Sequence, residues 1–362
     1  MPLNLKLNKV DQEKLENLFY VKDENILAAR YFLHYLVNEP NLVKKDDLTN
    51  LIKKHLSEDD AFTETVLNFL SEDDKQIFSL LSSRVSYGFI SLDEQLYKSN
   101  PYYQNIKVTK QKKWSWQLDT LSYHPYEGFS YRDIKVNSED FKEVNFFGYF
   151  KNEFKYPILR YKSSVWMSIT PHEIETMQAS IDLVEGELII FGLGLGYFPY
   201  MASLKEEVSK ITIIEKDANV IKLFKKHLLP QFEQKDKITI IKANAFKYIK
   251  KMKNLNYTYA FVDIYQSVDD GLNIYLKMKQ LEKQVLQTKF LYWLEYSLLA
   301  MIRRAVLSIL EETLNDSDNY LKLKGQEGLV FQYLNKKMGD LTFHAYEEVH
   351  DFIKANSLRN FL

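Results

Sequence analysis

Apolar positions recur at helical spacing in LENLFYVKDENILAARYFLHYL (15–36), which predicts a long amphipathic helix that Pro40 ends. Helical patterning continues to about residue 105. SEDD occurs twice, at 57–60 and 71–74, ahead of AFTETVLNFL and KQIFSLL. Ser57 and Ser71 read as N-caps with carboxylates in the first turns; an acidic metal site is the competing reading. From 106 to 165 the pattern changes. WSWQLDTLSYHPYEGFSYRDIKV and FKEVNFFGYFKNEFKYPILRYKSSVW are aromatic, partly alternating and punctuated by Gly and Pro, so short strands and hairpins are expected. From 166 onward strands and helices alternate: helix PHEIETMQASIDLV, strand ELIIF (187–191), helix 198–207, strand ITII (211–214), helix 217–228, strand KITIIKA (237–243), helix 245–252, strand YAFV (259–262) and helix 269–284. KFLYWLEY reads as a fifth strand or as the start of the long helix through 313. GLVFQYL (328–334) reads as one more strand and AYEEVHDFIKANSLRNFL as a terminal helix. Alternation with short connections predicts an α/β fold, a parallel sheet with helices on both faces. Three units follow: a helical N-terminal domain at 1–105, a short aromatic β-rich connecting segment at 106–165, and an α/β domain with a helical C-terminal extension at 166–362.

Composition narrows the chemistry. With 362 residues, 46% apolar and 27% charged, the chain is long enough for two or three domains with a substantial core. Its net charge of −1 predicts neither a nucleic acid nor a membrane partner from the overall field. MPLNLKLNKVDQEKLENLF is polar and lacks a secretory pattern, so a cytoplasmic location is expected. SLLAMIRRAVLSIL (297–310) holds Arg303 and Arg304 and is too short to span a bilayer; a buried helix is expected. There is no cysteine, which excludes disulfides, thiolate zinc sites and iron–sulfur clusters. The seven histidines are scattered without metal-ligand spacing, so no metal is expected. Residues 204–253 hold thirteen lysines against six acids: an RNA-binding face, or the solvated sides of flanking helices. Lys110, Lys112 and Lys113 beside Trp114 and Trp116 pose a similar choice between a base-stacking surface and a small aromatic β-core or cleft wall.

FGLGLGYFPYM (191–201) places Gly192, Gly194 and Gly196 directly after an apolar strand. A dinucleotide fingerprint needs a further glycine where Tyr197 or Pro199 stands, and no Lys-Ser/Thr follows as in a triphosphate cradle. A nucleoside ligand without a pyrophosphate remains. Glycines let the backbone approach it, and N–H groups at the next helix start favour a carboxylate. Pro199 suits a first-turn position. Glu215, ending the second strand nineteen residues after Gly196, is placed to accept both hydroxyls of a ribose. Asn244, between Ala243 and Ala245 at the end of the third strand, carries an amide able to pair with an adenine edge. Asp263-Ile264-Tyr265 closes the fourth strand over the same cleft.

Over roughly 166–285 the chain resembles the class I S-adenosylmethionine-dependent methyltransferases. The resemblance implies a Rossmann-like methyltransferase sheet and S-adenosylmethionine as cofactor. By position it makes Gly192, Gly194 and Gly196, with Tyr197, the loop around the methionine part; Glu215, with Lys216, the ribose contact; and Asn244-Ala245 the adenine contact, with Asp263 beside them. WMSITPHEIETM, FGLGLGYF and VDIYQSVDDGL are also similar to uncharacterised bacterial methyltransferase-like proteins. The spermidine synthase branch of the same fold carries a His-Glu pair before the glycine loop and an Asp-rich loop after strand four, where His172-Glu173 and Asp263…Asp269-Asp270 fall here. That branch's Asp-Ser-Ser/Thr-Asp-Pro run is replaced by Asp263-Ile264-Tyr265-Gln266-Ser267.

The resemblance implies in-line displacement at a sulfonium carbon; a cysteine-held radical cluster is excluded. Asp263 is the first candidate for acceptor contact or base, and Tyr265 the second. His172, Glu173, Asp269 and Asp270 are substrate-contact candidates; the alternatives are a helix that Pro171 starts with Glu173 in its first turn, and an Asp269-Asp270 N-cap pair opening helix 269–284. Asn100-Pro101-Tyr102-Tyr103 reads as a turn. Three functions stay open: methyl transfer to an unidentified acceptor (a small molecule, with RNA or protein as alternatives), aminopropyl transfer to a polyamine, and a cofactor-binding module without turnover. The aromatic 106–165 segment is a candidate surface for a homo-oligomer.

Overall fold

Runs rich in Ile, Leu, Val and Phe pair into one parallel sheet in the computed structural model, which describes residues 3–52, 56–317 and 319–362. Its first to fifth strands are Gly186–Phe191, Val208–Glu215, Ile238–Lys242, Tyr259–Val262 and Lys289–Tyr292. They lie in the order third, second, first, fourth, fifth. Leu188 to Phe191 and Ala260 to Val262 are buried, as expected for strands covered on both faces. The connecting helices are Tyr197–Ser203, Ala218–His227, Ala245–Tyr248 with a 3₁₀ continuation, and Val268–Glu282. Parallel register aligns Phe191 with Ile214 and Val262, and Glu215 with Lys242. The residues that follow each strand therefore share one edge, and the strand order reverses between the first and fourth strands. That reversal opens a crevice at the carboxyl ends.

Several elements differ from the sequence reading. GLVFQYL lies inside the helix Gly325–Met338 rather than in a strand. Val330, Phe331, Leu334 and Met338 are buried at spacings of one to four, a stripe that seats the helix on Glu295–Leu314. KFLYWLEY supplies both alternatives, a strand Lys289–Tyr292 and then the start of the helix Glu295–Leu314. The terminal helix is two, Tyr346–Phe352 and Ala355–Phe361. Ser57 caps the helix Glu58–Ser71 by accepting from the Asp60 N–H. Ser71 does not cap: it ends that helix, and Asp74 takes the Gln76 and Ile77 N–H groups of the next. Asn100 caps a short helix, Pro101–Asn105.

Residues 3–105 are mainly helical, led by Lys9–Asn38, but they also hold two strands. Asn4–Leu5 pairs with Thr342–Phe343, so the two ends of the chain meet. Val85–Ser91 pairs in parallel with Glu143–Tyr149. A large core runs from Leu3 through the parallel sheet to Leu362, and a smaller one joins Phe32, Phe62, Phe89 and Phe147. In the 106–165 segment, Gln111–Lys113 and Trp116–Tyr123 form one hairpin, and Phe154–Tyr161 and Ser164–Ser168 another; together they make a four-stranded antiparallel sheet. The helix Glu295–Leu314 is buried along much of its length, with the Arg303 Nε donating to the Ile353 carbonyl and Arg304 paired with Glu143. No helix among the described residues is long and apolar enough to cross a membrane.

Candidate functional site

A cavity of about 300 Å³ opens at the carboxyl edge of the parallel sheet, where strand order reverses. The sheet contributes Gly192, Leu193, Gly194, Glu215, Lys216, Asp217, Asn244, Ala245, Asp263 and Trp293. The two-hairpin sheet closes the other side with Trp116, Trp166 and Met167. Glu173 reaches in from the helix Pro171–Leu183.

The triple-glycine bend has left-handed backbone at all three positions, with φ of 103° at Gly192, 50° at Gly194 and 77° at Gly196. Gly192 and Gly194 line the cavity; Gly196 and Tyr197 do not. A Cβ at Gly192 would overlap the Asp263 carbonyl oxygen, and one at Gly194 would overlap the Met167 sulfur. The glycines thus bring the first strand's exit against the fourth strand and against the hairpin sheet. Gly196 sits over Phe224 and Phe232, and Tyr197 is a core residue whose hydroxyl accepts from the Asn100 amide at 3.0 Å. The helix that follows is seven residues long, and the Leu195 N–H that leads into it faces the Met167 sulfur at 3.3 Å. One N–H ahead of that helix start is thus taken up by a thioether.

Glu215 is oriented by two backbone N–H groups, from Asp217 at 2.7 Å and Leu193 at 3.3 Å. Burial raises its pKa, opposed by those N–H bonds. Asn244 caps its helix by accepting from the Lys247 N–H at 3.2 Å, which leaves its amide nitrogen without a protein partner among the described residues. Asp263 makes no side-chain hydrogen bond among the described residues. Burial, then the nearby carboxylates of Glu173 and Glu215, push its pKa up to about 7. Glu173 is 9% exposed and accepts from Ser168, from the Thr170 N–H and from the Thr170 hydroxyl. It is at once a capping-box residue and a cavity carboxylate.

Other candidates fall outside the crevice or are already engaged. The Tyr265 ring lines the cavity, but its hydroxyl donates to the Trp293 carbonyl, and burial, first of all, holds its pKa well above the ordinary value. His172 packs edge-on to Trp293, 6.2 Å between ring centres, and does not line the cavity. Asp270 accepts from the Gln266 and Ser267 N–H groups as the acid of a capping box, and Asp269 is exposed in the first turn; neither lines the cavity. The N-cap of the helix Val268–Glu282 is Ser267 and not an Asp269-Asp270 pair.

Trp166, Met167, Asp217 and Trp293 were not foreseen as wall residues; Trp116 was, as one alternative for its aromatic segment. Trp293 follows the fifth strand, so the strand-end rule that finds Glu215 and Asp263 reaches it too. Trp116 lies about a hundred residues from its partner Asp217, to which its ring N–H donates at 2.9 Å, and no local pattern signals that contact.

No known family profile matches the chain, and no curated protein does. Similar solved structures include a protein described as an O-methyltransferase from Klebsiella pneumoniae, 13% identical over 28% of this chain and 43% of that one, with a TM-score of 0.22. The chain thus spans less than half the length of that protein. A spermidine synthase from Thermotoga maritima is 13% identical over 55% of this chain and 72% of its own, with a TM-score of 0.30. A spermidine synthase in complex with the transition-state analogue AdoDATO is 14% identical over 55% and 71%, also with a TM-score of 0.30.

Proposed function

We propose that the cavity binds S-adenosylmethionine on a Rossmann-like methyltransferase sheet and that the protein transfers a methyl group from it by in-line displacement. The observation that carries this reading is charge. Glu173, Glu215, Asp217 and Asp263 line one small cavity together with a single cation, Lys216. Burial first, and then repulsion from the Glu173 and Glu215 carboxylates, push the Asp263 pKa up to about 7. A ligand that brings positive charge relieves the repulsion, and S-adenosylmethionine carries a sulfonium and an ammonium. When bound it supplies an electrophilic methyl carbon.

In this reading Glu215 accepts from the ribose hydroxyls, and the free Asn244 amide donates to the adenine with Ala245 beneath the ring. Gly192 and Gly194 border the amino-acid tail. Asp263 faces the ammonium or the acceptor, and takes the acceptor's proton where it must be lost. Trp166, Trp293 and the Tyr265 ring exclude water. Tyr265 is a wall, because its hydroxyl is committed to a carbonyl. Titration calorimetry tests the reading. Wild-type protein is expected to bind the cofactor, and Glu215→Gln to weaken binding at least tenfold, about 1.4 kcal/mol. Absence of binding to the wild type overturns it.

One observation favours aminopropyl transfer as a second reading. Met167 occupies the Leu195 N–H, which removes one donor from a carboxylate, and the acids around the bend suit a tail that has lost one. Decarboxylated S-adenosylmethionine binding more tightly than the intact cofactor would select this reading over methyl transfer.

A further inference from the structure

Beside the cavity mouth, two stretches of chain carry lysines and no acid. Residues 106–118 hold four lysines, residues 218–230 three, and neither holds Asp or Glu. Sequence distance separates them, but the fold zips them together. The Gln231 side chain accepts from the Lys107 N–H at 2.9 Å and donates to the Lys107 carbonyl at 3.1 Å. The strand Gln111–Lys113 packs on the helix Ala218–His227. Trp116, beside the turn of the same hairpin, donates to Asp217 just ahead of that helix. The second hairpin joins the first where the Lys162 N–H donates to the Ser115 carbonyl at 2.6 Å.

The result is one basic surface. Lys112, Lys113, Lys162, Lys222, Lys225 and Lys226 are exposed, and among the described residues none has a carboxylate within 4.0 Å. Asp217, the acid between the two stretches, is occupied by the Trp116 ring N–H and by the Asn219 and Val220 N–H groups. Because the whole chain has a net charge of −1, this excess makes the molecule strongly asymmetric. Aromatic rings stand out of the same face. Trp114, at the first hairpin tip, is 77% exposed, and Tyr161, at the second, is 38% exposed. A large flat ring held in water among uncompensated lysines matches a partner that is both polyanionic and planar. An acidic peptide would use the lysines but not the ring.

We propose that this face binds single-stranded nucleic acid, with phosphates on the lysines and a base stacked on Trp114, so that the strand passes the cavity mouth. The proposal does not depend on what the cavity holds. Fluorescence anisotropy of a labelled uridine homopolymer RNA about 20 nucleotides long, with the full-length protein, tests it. Binding is expected at about 50 mM salt, falling more than tenfold by about 200 mM. Combined Lys112→Ala, Lys113→Ala, Lys225→Ala and Lys226→Ala changes are expected to weaken binding at least tenfold. Trp114→Ala should weaken it about fivefold or more. Lys250→Ala, Lys251→Ala and Lys253→Ala together, in the turn between the third and fourth strands, should change it less than twofold. All of these side chains are exposed, and circular dichroism confirms that each variant folds. The proposal is overturned by no binding at low salt, by equal losses from the two lysine sets, or by an unaffected Trp114→Ala. Phosphatidylserine vesicles or polyglutamate bound as tightly as the RNA, with the same dependence on Lys112 and Trp114, also overturn it. Cofactor affinity measured on the same variants should match wild type, so failure to bind RNA and failure to bind S-adenosylmethionine are read separately.

Discussion

Asp263 is the residue whose environment states most about the site. Unfolded, it titrates near an ordinary aspartate; folded, burial and the Glu173 and Glu215 carboxylates raise it to about 7. Between those values the native state holds the extra proton, so this group's contribution to stability falls as pH rises through about 7. Asp263→Asn is therefore expected to raise the melting temperature of the ligand-free protein, by more at about pH 8 than at about pH 5. Scanning calorimetry at the two pH values checks the sign. A cationic ligand needs the ionised carboxylate, so wild-type cofactor affinity should climb between about pH 6 and pH 8 and become nearly flat in Asp263→Asn. Gly192 makes a different demand. Its φ of 103° and the nearby Asp263 carbonyl leave no space for a side chain. Gly192→Ala should cost about 2–4 kcal/mol in chemical denaturation, because backbone rather than a flexible side chain must move.

At the scale of elements, strands and helices of the parallel sheet follow their local pattern closely, and the C-terminal elements less so. Gly325–Met338 is helical because a hydrophobic groove on Glu295–Leu314 accepts its buried stripe. Seven residues of GLVFQYL are too few to show a helical period against a short apolar strand. The helix Glu295–Leu314 also binds the strand Glu143–Tyr149: Arg304 meets Glu143, which is 4% exposed on its side chain. Removing the cation strands a buried charge. Arg304→Ala is expected to destabilise the protein by about 3 kcal/mol in urea, whereas Arg304→Met with Glu143→Met should recover most of the loss. Losses that simply add in the double variant would show that the two side chains act independently.

Across the whole molecule, the elements before residue 166 are part of the structure that holds the site. Leu3, Leu15, Leu18 and Phe19 share the large core with the parallel sheet, and the hairpin sheet supplies a wall of the cavity. A fragment beginning at residue 166 would expose that face of the core and lose Trp116 and Tyr161, the ring neighbours of Trp166, and the terminal pairing of Asn4–Leu5 with Thr342–Phe343. Such a fragment is expected to show no cooperative thermal transition and no cofactor binding, while the full chain shows a cooperative one.

The alternation of apolar runs with amphipathic helices from 186 to 292 is legible because the central strands are buried on both faces and the helices between them on one, which leaves a local trace. The strand-end positions of Glu215, Asn244 and Asp263 follow from it, since parallel strands must bring their carboxyl ends to one edge. Only the tertiary structure decided that Gly196 and Tyr197 serve the core, that Met167 fills the bend, and that Trp116 reaches Asp217. Those contacts join residues far apart in sequence, and packing between separate elements leaves no periodic signature in either one.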